Sequence, residues 1–260
     1  MSPARRHFKR RIGQANHFLI TVLIGLDGVK NERCALPEDF STSWNPRSVE
    51  RSAERSTRFI LDASLSWVVD NLDSYFIEAS RKPSIIESDE LKIGYNQADR
   101  SVNKRFDLFY HKAREINTEV DKYAALVALA IQWRNNTVHY GAHNVLESEY
   151  RSILKQYKDF YKNEFRHLDV DTMLSSFDSD YGHPTFKEVT SMINAIHKYV
   201  ECIDNYLLFS LDVKRFQNDL LDKHFSNCVQ ARRKVNSLTE ERKNAYFKTL
   251  YKQYGFDVEE

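Results

Sequence analysis

Glycine and proline are scarce in this 260-residue chain, at 7 and 5 copies, which excludes collagen-like, mucin and linker compositions. Cysteine is scarcer still: Cys34, Cys202 and Cys228 lie far apart in sequence. An odd, dispersed set supports neither a disulfide framework nor a cysteine-based zinc site and fits a reducing setting. An excess of charge of either sign is also missing. The 38 basic and 37 acidic side chains leave a formal charge of +1, so a polybasic coat for nucleic acid is excluded. Hydrophobic residues at 42% exclude intrinsic disorder.

Long apolar runs are lacking as well. The run Phe18–Leu26 has nine residues, against about 20 for a spanning helix. Arg5, Arg6, Lys9, Arg10 and Arg11 precede it, which is the outline of a signal peptide. Gln14, Asn16 and His17 interrupt that outline, and Asp27 follows with no small-x-small cleavage site. A soluble, cytoplasmic protein with no membrane partner is expected.

With few breakers and no sustained period-2 alternation, the chain reads as all-α. Helices are expected near 14–28, 47–80, 97–115, 119–140, 147–167, 185–224 and 238–254, with a shorter one near 170–177. Loops fall at 29–46, 81–96 and 178–184. Asn45-Pro46 reads as an N-cap with proline at the first helical position. Thr185 to Glu188 and Ser237 to Glu240 match the capping box, and Gly255 is placed to close the last helix. Phe186, Val189, Ile193, Ile196, Val200, Ile203 and Leu207 keep helical spacing over six turns. No repeat or linker forces a division, so residues 1–260 read as one helical domain. Its core covers about 47–225, with 1–46 and 226–260 as embellishments.

One helix differs from the others. Tyr123 to Trp133 reads YAALVALAIQW, apolar almost all round, as a central buried helix is. Polarity then returns abruptly in Arg134-Asn135-Asn136-Thr137-Val138-His139-Tyr140-Gly141. Because a buried charge is costly unless paired, these groups are expected to line a cleft or an interface.

Arg134, Asn135 and His139, at the end of an apolar helix, resemble the signature of the HEPN superfamily, all-helical domains with an Arg-x(4–6)-His motif. The loose form is weak, since 20 Arg and 9 His predict about two chance occurrences; the Arg-Asn-x-x-x-His form is expected only about 0.05 times. The resemblance covers about residues 119–145. It implies a HEPN-type helical bundle with extra N- and C-terminal helices, acting as a homodimeric, metal-independent endoribonuclease without a cofactor. Toxins and anti-phage effectors are among such proteins, so an antitoxin or regulatory partner is a further expectation. Members with a nucleotidyltransferase antitoxin often carry His-x-Tyr, whereas here Tyr140 directly follows His139. Other members are catalytically silent modules that bind nucleotides or proteins, which is the alternative reading.

The residue chemistry fits RNA cleavage. Histidine, with a pKa near neutrality, can take the 2′-OH proton or supply one to the departing 5′-oxygen. A guanidinium can hold two oxygens of the charged phosphorane. His139 is thus the candidate general acid or base, Arg134 the phosphate clamp, and Asn135 a residue orienting one of them. Tyr140 and His143 are auxiliary candidates. In a regular helix Arg134 and His139 lie about 140° apart, so three solutions are open. The helix breaks within Asn135–Thr137, Arg134 reaches round, or the site combines two chains.

Arg151, Lys155, Lys158, Lys162 and Arg166 follow helical spacing as one basic stripe and are the candidate RNA-binding residues. Tyr150, Leu154, Tyr157, Tyr161 and Phe165 form the neighbouring stripe, expected to pack in the core. His139 and His143 have metal-ligand spacing, but only Glu147 and Glu149 stand near enough to complete a set, and no metal is expected.

Overall fold

In the computed structural model, residues 1–260 are described except Ala35, Glu38, Ser41, Thr42, Tyr140, Gly141, Asp180, Tyr181, Asn227, Cys228 and 255–260, and the side chains of Ala231 and Tyr254. Tyr140, Cys228 and the expected closing residue Gly255 therefore lie outside the described residues. Among the described residues there is no strand, and the chain is all-α. The helices are α1 (Pro3–Ile12), α2 (Ala15–Lys30), α3 (Val49–Ser80), α4 (Asp89–Gln97), α5 (Val102–Arg114), α6 (Val120–Val138) and α7 (Ser148–Gln156). They continue as α8 (Lys158–Glu164), α9 (Val170–Phe177), α10 (Phe186–Phe209), α11 (Val213–Phe225), α12 (Val229–Asn236) and α13 (Glu240–Tyr254).

The helices gather into two compact units. One comprises Met1–Arg10, Asn71–Val120 and His197–Glu260; the other comprises Arg11–Asp70 and Asp121–Ile196. The expected core of 47–225 contributes to both units, and so does the segment 1–46, whereas 226–260 belongs to the first unit alone.

Several expected elements take a different form. Residues 81–96, read as a loop, contain α4, which Ser88 caps by accepting from the Leu91 amide at 3.3 Å. The segment 147–167 divides at Tyr157, whose ψ of 27° ends α7 before α8 restarts. The segment 185–224 divides at 210–212, where Asp212 accepts from the Arg215 amide at 3.1 Å and begins a new helix. Asn45-Pro46 does not start α3; the Ser48 hydroxyl accepts from the Arg51 amide instead. Thr185 and Glu188 do form a capping box, with reciprocal bonds of 2.6 and 3.3 Å. Ser237 does not, because its hydroxyl donates back to the Lys234 carbonyl. The stretch Pro3–Lys30 contains a window long and apolar enough for a spanning helix. A turn at Gly13 and Gln14 divides it into α1 and α2.

In the first unit, Phe76 stacks on Phe109 with ring centroids 4.8 Å apart. The Tyr199 hydroxyl donates to the Phe106 carbonyl at 2.9 Å. Asp204, fully buried, accepts from the Ser2 amide and hydroxyl. In the second unit the centre is α6, where Ala124 to Ile131 are each no more than 1% exposed. Trp133 ends that buried stretch. Its ring meets Phe177 edge-on at 5.6 Å, and its indole N–H donates to the Gly182 carbonyl at 3.3 Å. Removing so large a buried side chain leaves a cavity, so Trp133→Ala is expected to lose about 3–5 kcal/mol of stability. Urea unfolding followed by circular dichroism checks this.

Candidate functional site

Every polar group of α6 below Trp133 emerges in its last turn, and successive residues there are rotated by about 100°. Two different faces result. On one, the Arg134 guanidinium reaches Asp70 of α3, Nη2 to Oδ1 at 2.7 Å. Asn135 Oδ1 accepts from Arg134 Nη1 at 3.1 Å, so Asn135 orients the arginine. Arg134 Nε is buried with no hydrogen-bond partner among the described residues. The guanidinium is thus anchored at two corners, leaving the edge between Nε and the remaining N–H groups uncommitted.

His139 lies elsewhere. Its amide donates to the Asn135 carbonyl at 3.1 Å, so helical bonding runs unbroken through Asn135–Thr137. The break that would have brought Arg134 and His139 together within one chain is absent. The Thr137 hydroxyl donates to the Arg134 carbonyl at 3.0 Å, accommodating this weak helix former without distortion. His139 is exposed, about 140° round the helix from an Arg134 that is turned towards Asp70.

The other face of the turn opens on a cleft of about 430 Å³. Trp133, Asn136 and Thr137 line it from α6, and His143 and Asn144 from the following segment. Asp62, Asp178 and His183 complete its polar wall. Asn136 holds the segment in place: its carbonyl oxygen accepts from the Asn144 amide at 2.6 Å, and its own N–H₂ donates to the Asn144 carbonyl at 3.1 Å. The auxiliary candidate His143 does not extend the helix beyond His139. The helix ends at Val138, and His143 lines the cleft instead. For the same reason the two histidines do not have one-turn chelating geometry. Among the described residues no three metal-ligating side chains converge.

Across the cleft, Asp62 Oδ2 and His183 Nδ1 are 3.0 Å apart. Burial pushes the Asp62 carboxyl up from its ordinary range, and His183 partly offsets this. Its Oδ1 is buried without a hydrogen-bond partner among the described residues. Gly182 makes the arrangement feasible, because a Cβ there would fall 1.7 Å from the Ser176 carbonyl oxygen. The close approach sets His183 over Asp62. Sequence reading missed this pair, although a signal existed. Asp62 is the only charge between Arg58 and Asp70 in an otherwise apolar stretch. Asp70 was missed as well.

The basic stripe is not continuous, since the helix is interrupted at Tyr157. Arg151 donates twice to Asp178, at 2.8 and 2.7 Å, and Lys158 Nζ reaches Asp171 at 2.6 Å. Lys155, Lys162 and Arg166 are exposed. Of the aromatic stripe, Tyr150, Leu154, Tyr161 and Phe165 are buried as expected, and the Tyr161 hydroxyl donates to the Lys122 carbonyl at 2.7 Å. No family model, curated protein or solved structure matches the chain, so the resemblance rests on the motif residues themselves.

The paired Asp178 yields a pH prediction. Its hydrogen bonds from Arg151 hold the carboxyl below its ordinary range. A depressed carboxylate contributes stability above its unfolded pKa, near 3.9, and loses it as pH falls through the folded value. Arg151→Ala removes that contribution. The melting temperatures of wild type and variant should therefore differ at neutral pH and converge on acidification. A gap that persists at low pH would assign the effect to packing.

Proposed function

We propose that the chain is a HEPN-type, metal-independent endoribonuclease, in which Arg134 of one copy and His139 of another form each active site of a homodimer. The observation carrying this reading is the last turn of α6. The motif closes a helix buried from Ala124 to Ile131, Arg134 is anchored by Asp70 and Asn135, and His139 is exposed. The unbroken helix separates the two groups within one chain, and a second copy supplies the missing one. An apolar surface accompanies them on α3: Phe59 is 73% exposed and Trp67, one turn before Asp70, is 40% exposed. Surfaces of this kind favour association.

In the proposed reaction the RNA 2′-oxygen attacks phosphorus and the bond to the 5′-oxygen breaks, leaving 2′,3′-cyclic phosphate and 5′-hydroxyl ends. His139 removes the 2′ proton or supplies one to the 5′-oxygen. The Arg134 guanidinium offsets the charge that accumulates on the phosphorane oxygens. Lys155, Lys162 and Arg166 are the basic residues best placed to contact flanking phosphates, with Arg151 and Lys158 held by carboxylates. A toxin or defence role, in the cytoplasm and under a partner's control, is what the resemblance adds. One observation favours a second reading, a silent binding module: Asp70 already neutralises Arg134.

Complementation tests the reading. Wild type should cleave cellular RNA in excess EDTA, and Arg134→Ala and His139→Ala should each be inactive with unchanged helical content. Mixed under conditions that exchange subunits, the two inactive variants should recover about one quarter of wild-type activity, because half of the dimers regain one intact site of two. Full activity in either variant alone overturns the assignment. Cleavage by wild type without recovery on mixing places the site within one chain. Dimerisation without cleavage by wild type favours the binding module.

A further inference from the structure

The unit that does not contain the motif holds a second cavity of about 430 Å³. Arg6 and Arg10 of α1, Arg81 and Lys82 beyond α3, and Lys223 of α11 line it, with Glu78 as the one carboxylate. Five cations and one acid thus line it, in a chain whose net charge is +1. Several cations outside the cavity are held by carboxylates: Arg5 by Glu201, Lys112 by Glu90 and Glu115, Arg105 by Asp73. Here Arg81 pairs with Glu78 at 2.5 Å. Arg10, Lys82 and Lys223 have no carboxylate partner among the described residues. The Lys223 ammonium is nevertheless fixed, donating to the Lys82 carbonyl at 2.9 Å.

The cations come from three separate segments, so their convergence is a product of the tertiary fold rather than of one helix's periodicity. Beneath them lies an apolar floor. Ala4, Ile85, Phe216 and Leu220 line the same cavity and are each no more than 6% exposed. Positive charge concentrated over a low-dielectric floor focuses its field on whatever enters. Cavities of this size hold small molecules, whereas a nucleic-acid strand follows an open groove with stacking platforms.

We propose that this cavity binds a small phosphorylated molecule with an apolar or planar body. The phosphates meet the guanidinium and ammonium groups, and the body rests on the floor formed by Ile85, Phe216 and Leu220. A nucleoside triphosphate has both parts. The proposal is independent of the ribonuclease reading, because none of these residues belongs to the motif or its cleft.

Titration calorimetry of the full chain with ATP, tripolyphosphate and adenosine, each at 150 mM salt, tests it. ATP is expected to bind saturably in the micromolar range, tripolyphosphate about tenfold more weakly, and adenosine undetectably. Arg10→Glu with Arg81→Glu and Lys223→Glu should weaken ATP binding by at least about tenfold without changing helical content. If that variant does not fold, Lys82→Ala with Lys223→Ala should weaken binding in the same direction. No saturable binding of ATP, or undiminished binding by a folded variant, overturns the site. Equal affinity for tripolyphosphate and ATP overturns the role of the apolar floor. Tighter binding of a short single-stranded RNA through the same residues overturns the small-molecule assignment.

Discussion

The burial of α6 on all sides governs much of what surrounds it. From Ala124 to Ile131 no residue is more than 1% exposed, so nothing polar can be carried there without a partner. The helix contributes only small and aliphatic side chains along that length, and its backbone satisfies itself. The constraint lifts at Trp133, whose indole still finds the Gly182 carbonyl. The polar side chains that close this helix are therefore compressed into the turn that follows.

That compression, together with helical rotation, divides the turn. Arg134 and Asn135 face Asp70, while Asn136 and Thr137 face the cleft with Asp62 and His183. Adjacent residues thus serve different surroundings. Asn135 orients a guanidinium, and Asn136 ties down the chain that carries His143. The two asparagines are chemically identical, and only their angular position separates their roles. The helix stays regular because the side chains that could have broken it find local partners.

Local chemistry was legible in the sequence, and long-range pairing was not. The apolar run of α6 announced its burial, and the pairing of Thr185 with Glu188 followed from spacing alone, because capping is decided within four residues. The Ser237 box failed because the same hydroxyl could serve the preceding helix, a competition that spacing does not reveal. The interruption at Tyr157 was invisible because the stripe's periodicity continues across it. The partners Asp70, Asp62, His183 and Asp178 lie 27 to 121 residues from the groups they meet. Only topology brings them together. A lone aspartate inside an apolar helix face was the one trace such pairing left.

Two separate constraints ask for something to cover the exposed end of α6. The first is angular, since an unbroken helix keeps Arg134 and His139 about 140° apart. The second is dielectric. The Asp70 side chain is 63% exposed against 20% for Arg134, and His139 is exposed, so one side of the site acts through water. At an effective dielectric near 80 a contact at 4 Å is worth only about 1 kcal/mol, against about 4 kcal/mol at a value of 20. Stabilisation of a phosphorane needs the less watery setting. A second copy seated over this turn would answer both demands together, supplying the missing group and excluding solvent from the one already held. The proposal of a dimer rests on that coincidence: one partner would meet the angular and the dielectric demand at the same turn.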